Sequence, residues 1–196
     1  MLLAFTEHAA GVSWTVADEG MRRSSHALAT PAGIWLIDAL DAPEVRERID
    51  SLGEPVVGVA QLLDRHSRGC EALAAHYGVS HHRVPDALPG FDVVRVIDRP
   101  RWHERALWWE ARRTLVIPEA IGSAPYFAAG RAAAVHPLLR LVPPRGPLGA
   151  FAPDVLLCGH GEPVTVDADL ALREALDHSR RDLPRWLVTA PFAWRS

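Results

Sequence analysis

The sequence predicts a mixed α/β or α+β domain, and three observations carry that prediction. Short apolar runs alternate with stretches of helical periodicity from one end of the chain to the other. Glycine, proline and aspartate punctuate the changes from one pattern to the next. The chain has 196 residues, 48% of them hydrophobic, enough for one well-buried core and too few for two ordinary domains. Residues 1–196 are therefore expected to form a single domain that ends in an aromatic tail over 181–196.

Taken in order, strands are expected over Leu2–Thr6, Val12–Val16, Gly33–Asp38, Pro55–Leu62, Phe91–Ile97, Ala106–Trp109, Thr114–Ile117 and Asp154–Cys158. The first three, and the pair flanking Ala111-Arg112-Arg113, are short enough to be hairpins of antiparallel meanders. Val45, Ile49 and Leu52 recur at helical spacing behind Asp41 and Pro43, and Gly53 follows as a stop. Cys70, Leu73, Ala74 and Tyr77 form a second apolar stripe that begins after Ser67 and ends at Gly78. Leu172, Ala175 and Leu176 form a third, with Asp167 as its cap. A further helix is expected over Ala128–Leu139, stopped by the loop Val142-Pro143-Pro144-Arg145-Gly146-Pro147. Trp186, Pro191, Phe192 and Trp194 give the tail apolar surface that water would not tolerate, so it is expected to pack on the body or on a second copy in a homodimer.

Composition removes several function classes. A net charge of −3 gives no long-range attraction to nucleic acid or an anionic membrane. All 21 basic residues are arginine, so no lysine is available as a Schiff-base nucleophile, a pyridoxal-phosphate anchor or a phosphate-loop cation. Without asparagine there is no N-glycosylation acceptor. The first residues lack a basic segment followed by a long apolar run, and no stretch approaches a membrane span. Two cysteines, Cys70 and Cys158, make no disulfide framework or zinc ribbon. A reducing cytoplasm is the expected location.

Three segments carry chemistry. Leu62-Leu63-Asp64-Arg65-His66-Ser67-Arg68-Gly69-Cys70 follows an apolar strand and precedes a helix. Thr114-Leu115-Val116-Ile117-Pro118-Glu119 ends a second strand in a carboxylate, and Leu156-Leu157-Cys158-Gly159-His160-Gly161-Glu162-Pro163 ends a third in a histidine between glycines. Each residue also has a structural reading: Asp64 as a helix cap, Glu119 as the partner of an arginine, His160 as a cap of backbone groups. Trp102, Trp108 and Trp109 among arginines resemble a stacking platform for bases, but strand alternation with one face in the core gives the same pattern. His76, His81 and His82 lack acidic or cysteine partners nearby, and Cys158 reads as a small buried hydrophobe rather than a nucleophile paired with His160.

In this order the segments resemble the metal-site landmarks of the metallo-β-lactamase superfamily, over about Gly33 to Arg180. The resemblance implies an α+β, four-layer αββα sandwich and a hydrolase-like cleft. It also implies a degenerate metal motif. A two-ion centre needs about six ligating side chains. Asp64 stands in the place of the loop's first histidine, His66 keeps the second, Arg68 replaces the aspartate and Gly69 the last histidine. Glu119 takes the place of the bridging aspartate, His160 keeps the final histidine, and His103 lies a few residues from where another is due. Arg68 cannot ligate a metal and repels one, and it is expected to pair with Glu119 or Asp64. A dinuclear zinc hydrolase is thus not expected. The resemblance implies a protein with no cofactor, acting by binding a small molecule or a protein partner. The alternative is a hydrolase of esters, thioesters, lactones or phosphodiesters, holding one zinc, manganese or iron ion on Asp64, His66, Glu119 and His160. No catalytic residue is assigned.

Overall fold

The computed structural model describes residues 1–66 and 68–193. The chain opens with an antiparallel meander of β1 (Leu3–His8), β2 (Gly11–Val16), β3 (Ser24–Thr30) and β4 (Gly33–Ile37). Helix α1 (Pro43–Asp50) carries it over to β5 (Val56–Gln61), and α2 (Cys70–Tyr77) carries it on to β6 (His81–Arg83). Both crossovers return a strand parallel to its predecessor, completing a six-stranded sheet in sequence order. The long strands β7 (Asp92–Arg99) and β8 (Trp102–Trp109) and the shorter β9 (Thr114–Ile117) begin a second sheet. The excursion that follows holds β10 (Ile121–Gly122), α3 (Pro125–Ala128), β11 (Ala134–Val135), a 3-10 turn at Pro137–Leu139 and α4 (Arg145–Leu148). Then β12 (Val155–Cys158) returns parallel to β9, giving the order β12-β9-β8-β7, and α5 (Ala168–His178) and α6 (Leu183–Ala193) close the described chain.

Strand alternation sorts the core into three layers. Ile34 and Leu36 of β4 face α1 and α2, where they meet Val45, Ile49, Cys70 and Leu73. Trp35 and Ile37, one residue out of phase, face the other sheet and meet Leu107, Trp109, Val116 and Leu157. On that second sheet Leu115, Ile117, Leu156 and Cys158 point away again, onto Leu172, Ala175 and Leu176 of α5. Helix, sheet, sheet, helix is the order of layers, so the fold is the α+β four-layer sandwich. Trp108 and Trp109 fall on opposite faces of β8 and both belong to the core, as the alternation reading holds.

Local chemistry explains the helix ends. Pro43 opens α1 in its first turn, and Gly78 ends α2 in the left-handed conformation (φ 66°). Asp167 precedes α5 as expected but makes no side-chain cap bond. The helix expected over Ala128–Leu139 is not formed. Ala128 ends the short α3, Ala134 enters β11 and the end of the segment forms the 3-10 turn after His136. Gly130 (φ 84°) and Pro137 interrupt any continuous ladder there. Strands β3 and β6 lie where no strand was expected: β3 is rich in serine and alanine, and β6 reads His-His-Arg.

The tail is helical. Trp186 of α6 donates its indole N–H to Tyr126 O at 2.9 Å. Arg131 grips Asp182 through two bonds of 2.6 and 3.0 Å, fixing the start of that helix to the excursion. Trp194 lies outside the described residues. No helix of the described residues is long and apolar enough to cross a membrane.

Between the sheets Trp35 lies flat against Gly58 of β5, where an added Cβ would meet the indole at 2.3 Å. Gly58→Ala is expected to lose about 1–3 kcal/mol by overpacking, read as a lower urea midpoint at unchanged slope. A buried relay runs from His8 Nε2 through Ser13 Oγ (2.8 Å) to His26 Nδ1 (2.7 Å) and from His26 Nε2 to Cys158 O (3.2 Å). Burial pushes His26 down to about 3 and His8 down to about 4. Below pH 6.5 the unfolded chain takes up protons that these folded imidazoles refuse, so their contribution to stability is lost as pH falls from 6.5 toward 3. Ring nitrogen NMR shifts at pH 5 should therefore report neutral His26 in the folded protein; an imidazolium signal would contradict the buried relay.

Candidate metal centre

The candidate residues converge at one end of the sandwich, where the strand ends of both sheets meet. Asp38 follows β4, His66 follows β5, Glu119 follows β9 and His160 follows β12. The ends of the two sheets are joined directly: Arg23 and His160 form a β-bridge, and Gly161 N–H donates to Arg22 O at 2.7 Å. Gly159 is required by close approach, since a Cβ there would meet Pro118 O at 2.1 Å.

Glu119 is the hub. Its Oε2 lies 3.2 Å from His66 Nε2 and 3.9 Å from His160 Nε2, and its Oε1 lies 3.4 Å from His136 Nε2. The ligating atoms of His66, Glu119 and His160 all lie within 4.8 Å of one another. Burial pushes the Glu119 carboxyl up, but the hydrogen bond from His136 and the polar ring of histidines around it outweigh burial and hold the carboxyl well below the usual range.

Each histidine is oriented by what its far nitrogen touches. His160 Nδ1–H donates to Met21 O at 3.0 Å, which leaves Nε2 as a lone pair, buried and without a hydrogen-bond partner. Burial first, then the charges of Arg68 and His66, push His160 down to about 3, so its ring is neutral. His66 Nδ1 faces Asp38 Oδ2 at 3.3 Å, off the hydrogen-bond axis, while its Nε2 accepts from Arg68 at 3.4 Å. His136 is the reverse case. Its Nδ1 accepts from Leu138 N–H at 3.2 Å, so Nε2 carries the proton and donates to Glu119. Three lone-pair groups thus meet at one point, His66 Nε2, Glu119 Oε2 and His160 Nε2, which suits a cation.

Supporting carboxylates hold the hub in place. Glu104, fully buried on β8, accepts from the backbone N–H groups of Glu119 (3.1 Å) and Ala120 (2.7 Å) and from Trp102 Nε1 (2.8 Å). Burial raises its carboxyl to about 7 despite those three donors. Asp38 accepts from Leu62 N–H at 3.0 Å while facing His66. Asp38 (φ 44°) and Arg68 (φ 33°) both sit in the left-handed region, a backbone strain of the kind that clusters at functional sites.

Arg68 is not paired with Glu119 or Asp64, contrary to expectation. Its guanidinium donates to the backbone carbonyls of Ser24, Asp38 (2.9 Å) and Gly159 (2.9 Å). Carbonyls win because three converge at the strand ends in the geometry of a planar fork. Asp64 is not brought into the cluster. Its Oδ2 accepts from His103 N–H at 3.2 Å, and its own N–H donates to His103 O at 3.1 Å, which pins the loop to β8. It caps no helix either, since Gly69 precedes α2. Gly69 faces away from the cluster: a Cβ there would meet Asp41 Cβ at 2.3 Å. His103 pairs with Asp98 at the exposed end of the β7–β8 hairpin and takes no part. Cys158 is buried, and burial pushes its thiol up to about 12, which makes it a poor nucleophile.

Sequence reasoning missed three residues. Asp38 and Glu104 carry a usable signal, a lone carboxylate at the end of, or within, an apolar strand, which must find donors. His136 carries none, because its segment was read as helix. Beside His160 a depression of about 430 Å³ opens between Glu19, Gly20, Met21 and Arg23, large enough for a small molecule.

No protein-family model and no curated protein matches this sequence. Solved structures do. DIM-1 metallo-β-lactamase aligns with a TM-score of 0.57 at 8% identity, covering 91% of this chain and 99% of that one. TMB-1 aligns at 0.54 and 14% identity over 97% and 98% of the two chains. A metallo-β-lactamase from Pontibacter korlensis aligns at 0.54 and 13% over 93% of each. The chain has the metallo-β-lactamase fold.

Replacing Arg68 by methionine strands three inward carbonyls, at roughly 1–3 kcal/mol for each group left unpaired. The expected result is a melting temperature lowered by many degrees, with Arg68→Lys recovering only part because an ammonium has no planar fork.

Proposed function

We propose that this protein carries a metallo-β-lactamase-type centre contracted to one subsite, in which His66, Glu119 and His160 take a single divalent ion. The observation that carries this reading is the buried Nε2 lone pair of His160, fixed by the bond to Met21 O and aimed with no donor at the Glu119 carboxylate. Two imidazoles and a carboxylate suit zinc, manganese or iron. Such an ion supplies Lewis acidity and an activated water. The chain supplies the rest: Asp38 and Met21 O set the ring orientations, Glu104 holds the loop of Glu119, and His136 donates to the carboxylate oxygen turned away from His160. Asp64, tied to β8, is outside this ligand set.

Two-ion hydrolysis is not part of the reading. Arg68 keeps a permanent positive charge beside the cluster, and Gly69 offers no side chain, so a second subsite lacks ligands and faces repulsion. A second reading is a metal-free cleft that binds a small molecule or protein, and one contact favours it. Arg68 donates to His66 Nε2, the nitrogen that would ligate, at 3.4 Å.

Metal analysis of the purified protein separates the two. One equivalent of ion, lost in His160→Ala and in Glu119→Ala, is the expected outcome. No bound metal, with melting unchanged by chelator, favours the binding cleft. Two equivalents overturn both.

A further inference from the structure

Arg65 is the one arginine of the loop after β5 that the site described so far leaves unused. The loop holds it firmly at its base: Leu63 bridges to Glu104, and Asp64 bonds the His103 backbone through both its N–H and its carboxylate. The Arg65 guanidinium then lies over the Trp102 ring, 4.5 Å from its centroid. Trp102 is itself fixed, with its indole N–H bonded to Glu104 at 2.8 Å and its ring T-shaped to that of His136, centroids 5.0 Å apart. A flexible surface arginine is thereby held in a single orientation at the edge of the cluster.

Its surroundings leave its donors available. The side chain is 46% exposed, and its nearest acid is Glu119 Oε1 at 3.9 Å, beyond hydrogen-bond length. Glu119 already receives His136 at that same oxygen. The other arginine of the loop, Arg68, spends its donors on backbone carbonyls inside the protein. Arg23, at the depression beside His160, is engaged by Glu19 at 2.7 Å. Among the described residues Arg65 makes no hydrogen bond, and its one ion-pair contact is the 3.9 Å approach to Glu119. A planar fork of N–H groups, stacked and open to solvent next to a site for a cation, matches a two-oxygen anion.

We propose that Arg65 is an anion clamp at the edge of the cluster and that the ligand carries an oxyanionic group, a phosphate or a carboxylate, which Arg65 grips over Trp102 while the reacting part of the ligand faces Glu119 and His160. The assignment of that reacting part rests on the single-ion reading above; the clamp itself does not. Arg65 is a binding and positioning residue. It orients the ligand without ligating the ion. Because the stack fixes the guanidinium beforehand, little orientational entropy remains to be lost when the anion arrives.

The test is calorimetric titration of the full chain, both as purified and after chelator treatment, with inorganic phosphate and with malonate at constant ionic strength. Saturable binding of one or both anions to the chelated wild type is expected, and the tighter of the two identifies the group. Arg65→Gln should weaken it by about tenfold or more, the loss of a charge-assisted pair. Arg65→Lys should fall between, keeping charge but losing the fork, and Trp102→Leu should weaken binding several-fold by releasing the stack. Equal affinity in wild type and Arg65→Gln, or no saturable binding of either anion, overturns the proposal. Metal content measured on the same samples keeps the two readings apart, since Arg65→Gln should leave it unchanged.

Discussion

The guanidinium of Arg68, seated on the carbonyls of Ser24, Asp38 and Gly159, joins the start of β3, the turn after β4 and the turn after β12. The first two belong to one sheet and the third to the other, so a single side chain gathers the strand ends on which the cluster is built. In a two-ion centre the metals would do this gathering, drawing together residues from both sheets through their ligands. Here a covalently attached cation does it. That seat is chemically coherent, since a buried guanidinium needs acceptors and strand ends supply unpaired carbonyls. It also restricts what the site can be, because the same charge that organises the backbone repels an ion on its side of His66.

The layers were legible in the sequence because their cause is local. Ile34-Trp35-Leu36-Ile37 is apolar at every position, the mark of a strand covered on both faces, and the structure places its alternate residues in two different cores. The stripe of Cys70, Leu73 and Ala74 with Gly78 as its stop became α2. The excursion between β9 and β12 was not legible. Its alanines have high helix propensity, and only tertiary pairing with β10 makes Ala134–Val135 a strand. Strand β3 was hidden for a related reason: Ser24, Ser25 and His26 are polar, and their burial is made tolerable by bonds to Gly161 O, Asp38 O and Cys158 O, which depend on the finished fold.

The same distinction divides the site. His66, Glu119 and His160 stand at strand ends and could be placed by order alone. Asp64 could not, because whether a loop carboxylate turns toward the cleft or toward β8 depends on the backbone of His103, a residue far along the chain. His136 is the sharper case. It reaches Glu119 only because the excursion folds back beneath β8, and its tautomer is fixed by the N–H of Leu138 two residues on.

Charge balance gives the site its character. Glu119 and Asp38 bring two negative charges into a largely buried space, and Arg68 returns one positive charge without touching either carboxylate. Arg65 adds a second positive charge at the exposed edge, 3.9 Å from Glu119. The lone pairs of His66 and His160 converge beside the other oxygen of that carboxylate, a point that suits a cation. Under the single-ion reading proposed above, a second ion would meet the fixed positive charge of Arg68 beside the cluster, so the guanidinium and one cation together suffice to balance the buried carboxylates.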